Sequence, residues 1–311
     1  MKRKIIEHGT SNAIILPKKW FDKYGLKRGE EVDIEQAGPM LIVNAEKIRS
    51  KQELIQIEQQ YFVPYVHRVI GKLFQAGYDH IAVKISDAKD MEEAEKEALK
   101  NVMGLEVIKK TDKEIAFDII ISDTPEQYAK YERKVFQTAI EYSKFILDLI
   151  EKKEYAKLGD RAVEMLNNKF SVFCERYINK TMSKNCVFKY VILWNLEKIT
   201  DEYKYLAQYV KEQKIKVSKE TKDYFRESIQ YLEDLYNLYY SFELATYSSM
   251  YQRKIQLLNK GQNLYLEKKS PEAMVVVKLM NVIQGVFDCI GNMLVLNISK
   301  CTATKILEKQ D

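Results

Sequence analysis

Basic side chains are concentrated at the start of the chain, where they could bind phosphate groups. Eight Lys or Arg residues lie between positions 1 and 28, against only two acidic residues. Such a local surplus of cations favours contact with the phosphates of a nucleic acid, and hydroxyl and amide side chains in the Gly-Thr-Ser-Asn turn between them could hydrogen-bond in a groove. The candidate DNA-binding residues are Arg3, Lys4, Thr10, Ser11, Asn12, Lys18 and Lys19.

Carboxylates spaced four residues apart offer a second kind of chemistry, because i and i+4 lie on one face of a helix. Glu197 and Asp201 form one such pair, and Gln284 and Asp288 form a second pair 87 residues later, in which only the aspartate is acidic. Two acids on one helical face, facing acids on a neighbouring helix, can bind hard or borderline cations. The spacing therefore predicts two related halves, and a metal site is one interpretation of these carboxylates.

Other kinds of site find little support in the sequence. The three histidines have no Cys or Asp arrangement around them that suggests catalysis, and Gly9-Thr10-Ser11-Asn12 is a hairpin turn rather than a phosphate-binding loop. The four cysteines include no Cys-x-x-Cys pair, so neither a zinc site nor a disulfide framework is indicated. An enzyme is the least favoured class of function.

The first 45 residues predict a compact β, β, short helix, β, β unit. A strand enters the Gly-Thr-Ser-Asn turn, a second strand spans 13–16, and Pro17 opens a short helix that Gly25 closes. Two more strands follow at 32–35 and 40–44, joined by Gly38-Pro39. A unit this small cannot bury a core alone, so it needs a partner copy.

This order of elements, with Leu-Pro-Lys-Lys-Trp and Gly-Leu-Lys-Arg-Gly-Glu-Glu-Val, resembles the AbrB/MazE/SpoVT swapped-hairpin DNA-binding domain over residues 3 to about 45. The resemblance implies that two chains exchange hairpins into one barrel, which presents basic loops to double-stranded DNA. The plainer interpretation of the same lysines is that they solvate a small dimerisation barrel.

A connector follows in residues 47–123. Its pattern predicts a helix over 46–76 with a break at Pro64, a strand over 81–85, an acidic helix over 90–103, and a hairpin of 105–109 with 115–121. Gly77-Tyr78-Asp79 and Gly104-Leu105-Glu106 resemble the segment that joins AbrB-type to PhoU-like domains. No chemistry is assigned to it.

Residues 124–311 have helical periodicity almost throughout. Thr124-Pro125-Glu126 and Ser270-Pro271-Glu272 both predict a helix start with Pro at the first position. Six helices are predicted, over 126–152, 154–181, 184–213, 218–244, 246–268 and 271–299. Leu196-Glu197-Lys198-Ile199-Thr200-Asp201 resembles the Glu-Arg-Ile-x-Asp signature of PhoU, the phosphate-uptake regulator, and 282–292 resembles its second copy.

PhoU proteins carry multinuclear metal clusters on such carboxylate faces, and this sequence departs from them. The second helix has Asn167 and Ser171 where acids are expected, and the fifth has no carboxylate between 245 and 266. The candidate metal ligands are Glu197, Asp201 and Asp288, for a divalent or iron-type ion, and no cofactor is certain. A solvated or Lys-paired face is the preferred interpretation of the first two acids. For Asp288, hydrogen bonding across the core with Asn281 and Asn292 is favoured over an effector site.

Taken together, the sequence predicts a multidomain α+β protein: a swapped-hairpin β-barrel in 1–46, an α/β connector in 47–123 and an all-α bundle of two three-helix repeats in 124–311. The predicted function is a homodimeric or larger DNA-binding transcriptional regulator of phosphate homeostasis. The alternative is a PhoU-type adaptor that does not bind DNA and docks on a phosphate transporter or a signalling kinase. An antitoxin role is a weaker third possibility, because the long bundle does not resemble a short neutralising tail.

The apolar run 274–298 contains Lys278, Asp288 and four amide side chains, too many polar groups for a lipid-facing span. We therefore expect a cytoplasmic protein without membrane insertion.

Overall fold

The structure is a computed structural model that describes residues 3–37, 40–45, 54–62, 65–85, 87–182 and 185–298. The chain divides into two compact units, 1–54 and 55–311. The predicted connector and the predicted bundle thus belong to one unit. The architecture is mixed α+β, with small sheets near the N-terminus followed by a mostly helical remainder.

The N-terminal unit consists of two β-hairpins around a short helix. Its elements are β1 (Ile5–His8), β2 (Ser11–Ile14), α1 (Lys18–Lys23), β3 (Val32–Ala37) and β4 (Met40–Ala45). The second strand begins two residues earlier than predicted, because His8 pairs with Ser11 and only Gly9 and Thr10 remain in the turn. Gly9 has φ +62°, a conformation that suits glycine in such tight turns. Gly38 and Pro39 lie outside the described residues.

The two hairpins form two separate two-stranded sheets, and no closed barrel is present among the described residues. Gly25 ends the helical segment with φ +61°, as its position predicts. The helix itself starts at Lys18, with Pro17 as the residue before it rather than as its first residue.

A four-stranded sheet opens the second unit, in the order β5-β6-β8-β7. Its strands are β5 (Leu54–Glu58), β6 (His80–Lys84), β7 (Leu105–Lys110) and β8 (Glu114–Ile119), with helices α2 (Val66–Ala76) and α3 (Ala88–Asn101). The helix predicted over 46–76 is therefore wrong at β5. Ile55 and Ile57 alternate there with exposed Gln56 and Glu58, which is the period of a strand. Residues 46–53, 63, 64 and 86 lie outside the described part.

The remaining helices are α4 (Pro125–Glu151), α5 (Ala162–Thr181), α6 (Cys186–Glu212), α7 (Lys219–Tyr240), α8 (Leu244–Glu267) and α9 (Glu272–Leu296). The start of α4 is the predicted one, since Thr124 Oγ1 accepts the Gln127 N–H at 3.2 Å and Pro125 is the first helical residue. The starts of α7, α8 and α9 follow those of α4, α5 and α6 by 94, 82 and 86 residues. Six long helices follow one another as the sequence predicts, and their division into two related three-helix halves stays a prediction.

The starts of the second and sixth bundle helices differ from the prediction for reasons that the structure shows. The second bundle helix begins at Ala162 rather than 154, because Tyr155–Gly159 forms a 3₁₀ segment and Asp160 Oδ1 accepts the Ala162 N–H at 2.9 Å. The sixth begins at Glu272, with Pro271 preceding it after a cis peptide bond. Glu272 instead binds the start of α7, accepting from Ser218 N at 2.8 Å.

One continuous hydrophobic core joins the four-stranded sheet, its helices and the bundle. Arg176 on α5, which is fully buried, fixes this junction: it donates to the Tyr78 carbonyl at 2.8 Å and pairs with Asp79 and Asp123. Helix α9 packs against α6, α7 and α8. By length and composition α9 could also cross a membrane, and half of its apolar window is buried in the structure.

Candidate functional site

The predicted DNA-binding residues all lie on the surface of the N-terminal unit. Arg3 and Lys4 precede β1, and Thr10, Ser11 and Asn12 occupy the turn and the start of β2. Lys18 and Lys19 form the first turn of α1. All seven side chains are exposed, so all are accessible to a phosphate or a base edge.

The apolar side chains of the same unit are exposed as well. Ile5 is 68% exposed and Leu41 is 61% exposed, and Ile14, Ile15 and Ile34 are each more than half exposed. Leu26 is the only buried apolar residue that the structure describes in this unit. An apolar surface of this extent on two small hairpins is typical of a surface that a partner covers.

A buried polar seam runs between α5 and α6, in the second unit. Its centre is Lys204, which is buried and pairs with Asp201 one turn earlier on the same helix. Lys204 Nζ also lies 3.2 Å from Glu164 Oε1 on α5, and Glu164 is completely buried. Arg161 forms a bidentate contact with Glu164 at 3.0 and 3.1 Å. Burial by itself would lower the pKa of Lys204, but the hydrogen bond to Asp201 and the charge of Glu164 raise it, so the ammonium stays charged.

The seam continues towards the N-terminal end of α6. Lys198 Nζ lies 2.7 Å from Glu197 Oε2 and 3.3 Å from Asp201 Oδ2. Burial raises the pKa of Glu197, against the hydrogen bond to Lys198. Both acids of the predicted pair are thus Lys-paired, and Asp201 is buried rather than solvated.

At its far end the seam reaches α2. Gln75 Nε2 donates to Glu175 Oε2 and to Tyr190 Oη, both at 2.6 Å. Burial, with a smaller effect from Glu197, raises the pKa of Glu175 to about 7, although Lys72 opposes it. The seam therefore contains a carboxyl group that titrates near neutral pH.

Asn167 and Ser171 are the α5 residues at which the PhoU resemblance places acids, and Asn167 hydrogen-bonds to α4 rather than to α6. Both are buried, and Asn167 Nδ2 donates to Val135 O at 2.7 Å and to Thr138 Oγ1 at 2.9 Å. The oxygens Asn167 Oδ1 and Ser171 Oγ have no hydrogen-bond partner among the described residues.

These residues do not fit the metal cluster that the resemblance implies. Glu164, Glu197 and Asp201 each have a basic partner, so the seam supplies its own cations. Within the described ranges no group of three or more His, Cys, Asp or Glu side chains is placed to hold a metal ion. A metal ion would have to displace the Lys204 ammonium from the two carboxylates that it bridges.

Asp288 does not have the predicted core role. Its side chain is exposed on α9, where Gln284 Nε2 donates to Asp288 Oδ1 at 2.7 Å. Asn281 is also exposed, and Asn292 donates to the Asp288 carbonyl within the helix. Because α9 is apolar on several sides, its sequence does not show which side is exposed to solvent. In the structure the side that carries Asn281 and Asp288 is the exposed one.

The sequence reasoning missed Glu164 and Glu175, which belong to the seam. A signal was available, since Glu164, Asn168, Ser171 and Glu175 are spaced as i, i+4, i+7 and i+11, one face of a helix. That face is polar yet buried, and nothing in the spacing distinguishes it from a solvated one.

Three comparisons with known proteins were made, against family models, curated proteins and solved structures, and none of them gives a match to this chain. Its function is therefore inferred from its own residues and from the motif resemblances.

Proposed function

We propose that this protein is a DNA-binding transcriptional regulator, in which the N-terminal unit contacts double-stranded DNA and the helical bundle senses a signal or docks a partner. The exposure of Arg3, Lys4, Lys18 and Lys19 in a segment, residues 1–28, that has only two acids supports the proposal most directly. Positive side chains that form no buried pairs remain available to phosphates.

The same proposal accounts for the exposed apolar strands of that unit. Two copies that exchange hairpins into one barrel would cover Ile5, Ile14 and Leu41, which a single copy leaves in solvent. A two-fold dimer would also present two sets of basic residues, so the phosphate contacts of both copies would add.

The bundle is proposed to regulate this binding. Its buried seam, which includes a carboxyl group that titrates near pH 7, is coupled to the sheet region through Gln75. Because the bundle resembles PhoU, we propose that the genes regulated by this protein serve phosphate homeostasis.

The decisive test is fluorescence anisotropy of the full chain with random-sequence duplex DNA over a series of salt concentrations. Replacing Lys18 and Lys19 by Ala in both copies removes up to four phosphate contacts, which should reduce the slope of log affinity against log salt by about 3 to 4. Affinity should fall to a similar extent on all sequences, since phosphate contacts carry no base information.

Lys152→Ala with Lys153→Ala, an exposed adjacent pair in the second unit, is the matched control and should leave the slope unchanged. An unchanged slope in the Lys18, Lys19 variant contradicts the assignment of these residues. No binding by the natural chain at low salt would instead favour the adaptor function, in which the bundle docks on a transporter or kinase.

A further inference from the structure

Helix α8 carries a straight stripe of seven exposed, uncharged side chains along its full length. The apolar members are Leu244, Tyr251, Ile255 and Leu266, and the polar members are Ser248, Asn259 and Gln262. We name this set the α8 stripe. Ile255 at its centre is 44% exposed and Leu266 at its end is 78% exposed. These positions are three or four residues apart, so they lie along one line on the helix.

The charged residues of α8 lie elsewhere on the helix. At about 100° per residue, Arg253, Lys254, Lys260 and Glu267 all lie at least about 100° round from Ile255. Three of them face the bundle: Arg253 pairs with Asp234, Lys260 lies 2.7 Å from Glu227, and Lys254 lies over the Phe287 ring at 4.3 Å. Depletion of charge from an exposed, partly apolar face is typical of the core of a protein interface.

The stripe is symmetrical about Ile255 in spacing, and its two ends are both leucine, whereas Tyr251 and Asn259, four residues to either side, differ in type. Leu244 and Leu266 lie eleven residues to either side, and Ser248 and Gln262 lie seven residues to either side. An antiparallel copy of the same helix would therefore set Ile against Ile and Leu against Leu, and it would set the hydroxyls of Ser248 and Tyr251 against the amides of Gln262 and Asn259. A surface that is complementary to itself is what a two-fold contact requires.

The corresponding face of the first half is already covered within the chain. Glu175 and Asn179 on α5 precede Gln262 and Leu266 by the 87-residue offset between the halves, and both hydrogen-bond to Gln75 on α2. Helix α8 packs mainly against α9 and α7, which leaves its stripe exposed. A membrane surface is a poorer occupant, because interfacial helices carry Lys and Arg beside their apolar face.

We propose that the α8 stripe is a self-association surface, on which the α8 stripe of a second copy of this chain packs antiparallel. The contact involves residues of the second unit and does not depend on DNA binding.

Disulfide trapping in the full chain tests the geometry. Two Ile255 side chains at the centre of an antiparallel pair of helices would lie within disulfide reach. Ile255→Cys, in a chain that carries Cys301→Ser, should form a covalent dimer under mild oxidation. Gln256→Cys, exposed but about 100° round the helix, is the matched control and should not. Cys174, Cys186 and Cys289 are buried and should remain unreactive.

Sedimentation velocity provides the second measurement, with circular dichroism to confirm folding. Ile255→Arg should halve the assembly mass, because it places two like charges at the centre of the contact, whereas Gln256→Arg should leave the mass unchanged. The halving takes a tetramer to a dimer if the N-terminal units pair with a different copy, and a dimer to a monomer if they do not pair. If both contacts join the same two copies, the mass stays that of a dimer and the Ile255→Cys trap decides. Equal trapping at 255 and 256, or an unchanged mass for Ile255→Arg together with no covalent dimer of Ile255→Cys, would overturn the proposal. Binding to anionic vesicles is measured for the natural chain and for Ile255→Arg. If the natural chain binds the vesicles and Ile255→Arg does not, while the mass of the assembly is unchanged, the stripe is a membrane surface and the proposal is overturned.

Discussion

The buried carboxyl of Glu175 should make the stability of this protein depend on pH near neutrality. Its Oε2 accepts a hydrogen bond from Gln75 at 2.6 Å, and Tyr190 shares the same donor. Glu175→Gln retains the size of the side chain and an oxygen to accept that bond, but it cannot ionise. The substitution therefore isolates the effect of the charge.

The raised pKa of Glu175 determines whether stability rises or falls with pH. In the folded state the pKa of Glu175 is about 7, against an ordinary value of 4.5. Between these two pH values the folded protein keeps a proton that the unfolded chain has lost, so the free energy of unfolding falls as pH rises and is level above about 7. At about 1.4 kcal/mol per pKa unit, the group accounts for a loss on the order of 3 kcal/mol across this range.

Urea unfolding of the natural chain and of Glu175→Gln, at about pH 5 and about pH 8, measures this difference directly. The stability of the variant relative to the natural chain should increase by about 3 kcal/mol between the two conditions. Glu212→Gln, at an exposed position at the end of α6, is the control and should show little change. If the Glu175 variant follows the natural chain at both pH values, the carboxyl is not protonated in the folded state and the reasoning fails.

Two further predictions concern the bundle. Gly261→Ala should destabilise the protein by about 1 to 3 kcal/mol in urea unfolding, because the added methyl group would lie 2.3 Å from Tyr224 Oη. Gly71→Ala, where the added methyl group would meet no neighbouring atom within 4 Å, is the control and should be neutral or stabilising. Equal effects of the two substitutions would show that the contact between α7 and α8 is not tight. Millimolar Mn²⁺ should leave the melting temperature of the protein unchanged, because Lys204 already neutralises Asp201 and Glu164. A melting temperature that rises with Mn²⁺ concentration would show that these carboxylates bind the metal ion instead.

Much of the backbone could be predicted from local chemistry. The turn at Gly9, the cap at Thr124 and the end of α2 at Gly77 each depend on a few neighbouring residues, and the structure has all three. Errors arose where local patterns were ambiguous. The segment at Ile55 and Ile57 satisfies a helical period loosely and a strand period closely, and its place in the sheet decides between them.

The sequence by itself determined most of the helices and turns and the concentration of basic residues at the N-terminus, because caps, composition and spacing are properties of neighbouring residues. Only the tertiary structure decided which faces are buried. Asp201 is paired inside because α5 brings Glu164 against Lys204, whereas Asp288, at the corresponding position of α9, is exposed on the outer face. Spacing places two residues on the same side of a helix, but packing against other helices determines whether that side meets solvent, and this depends on residues far away in the chain.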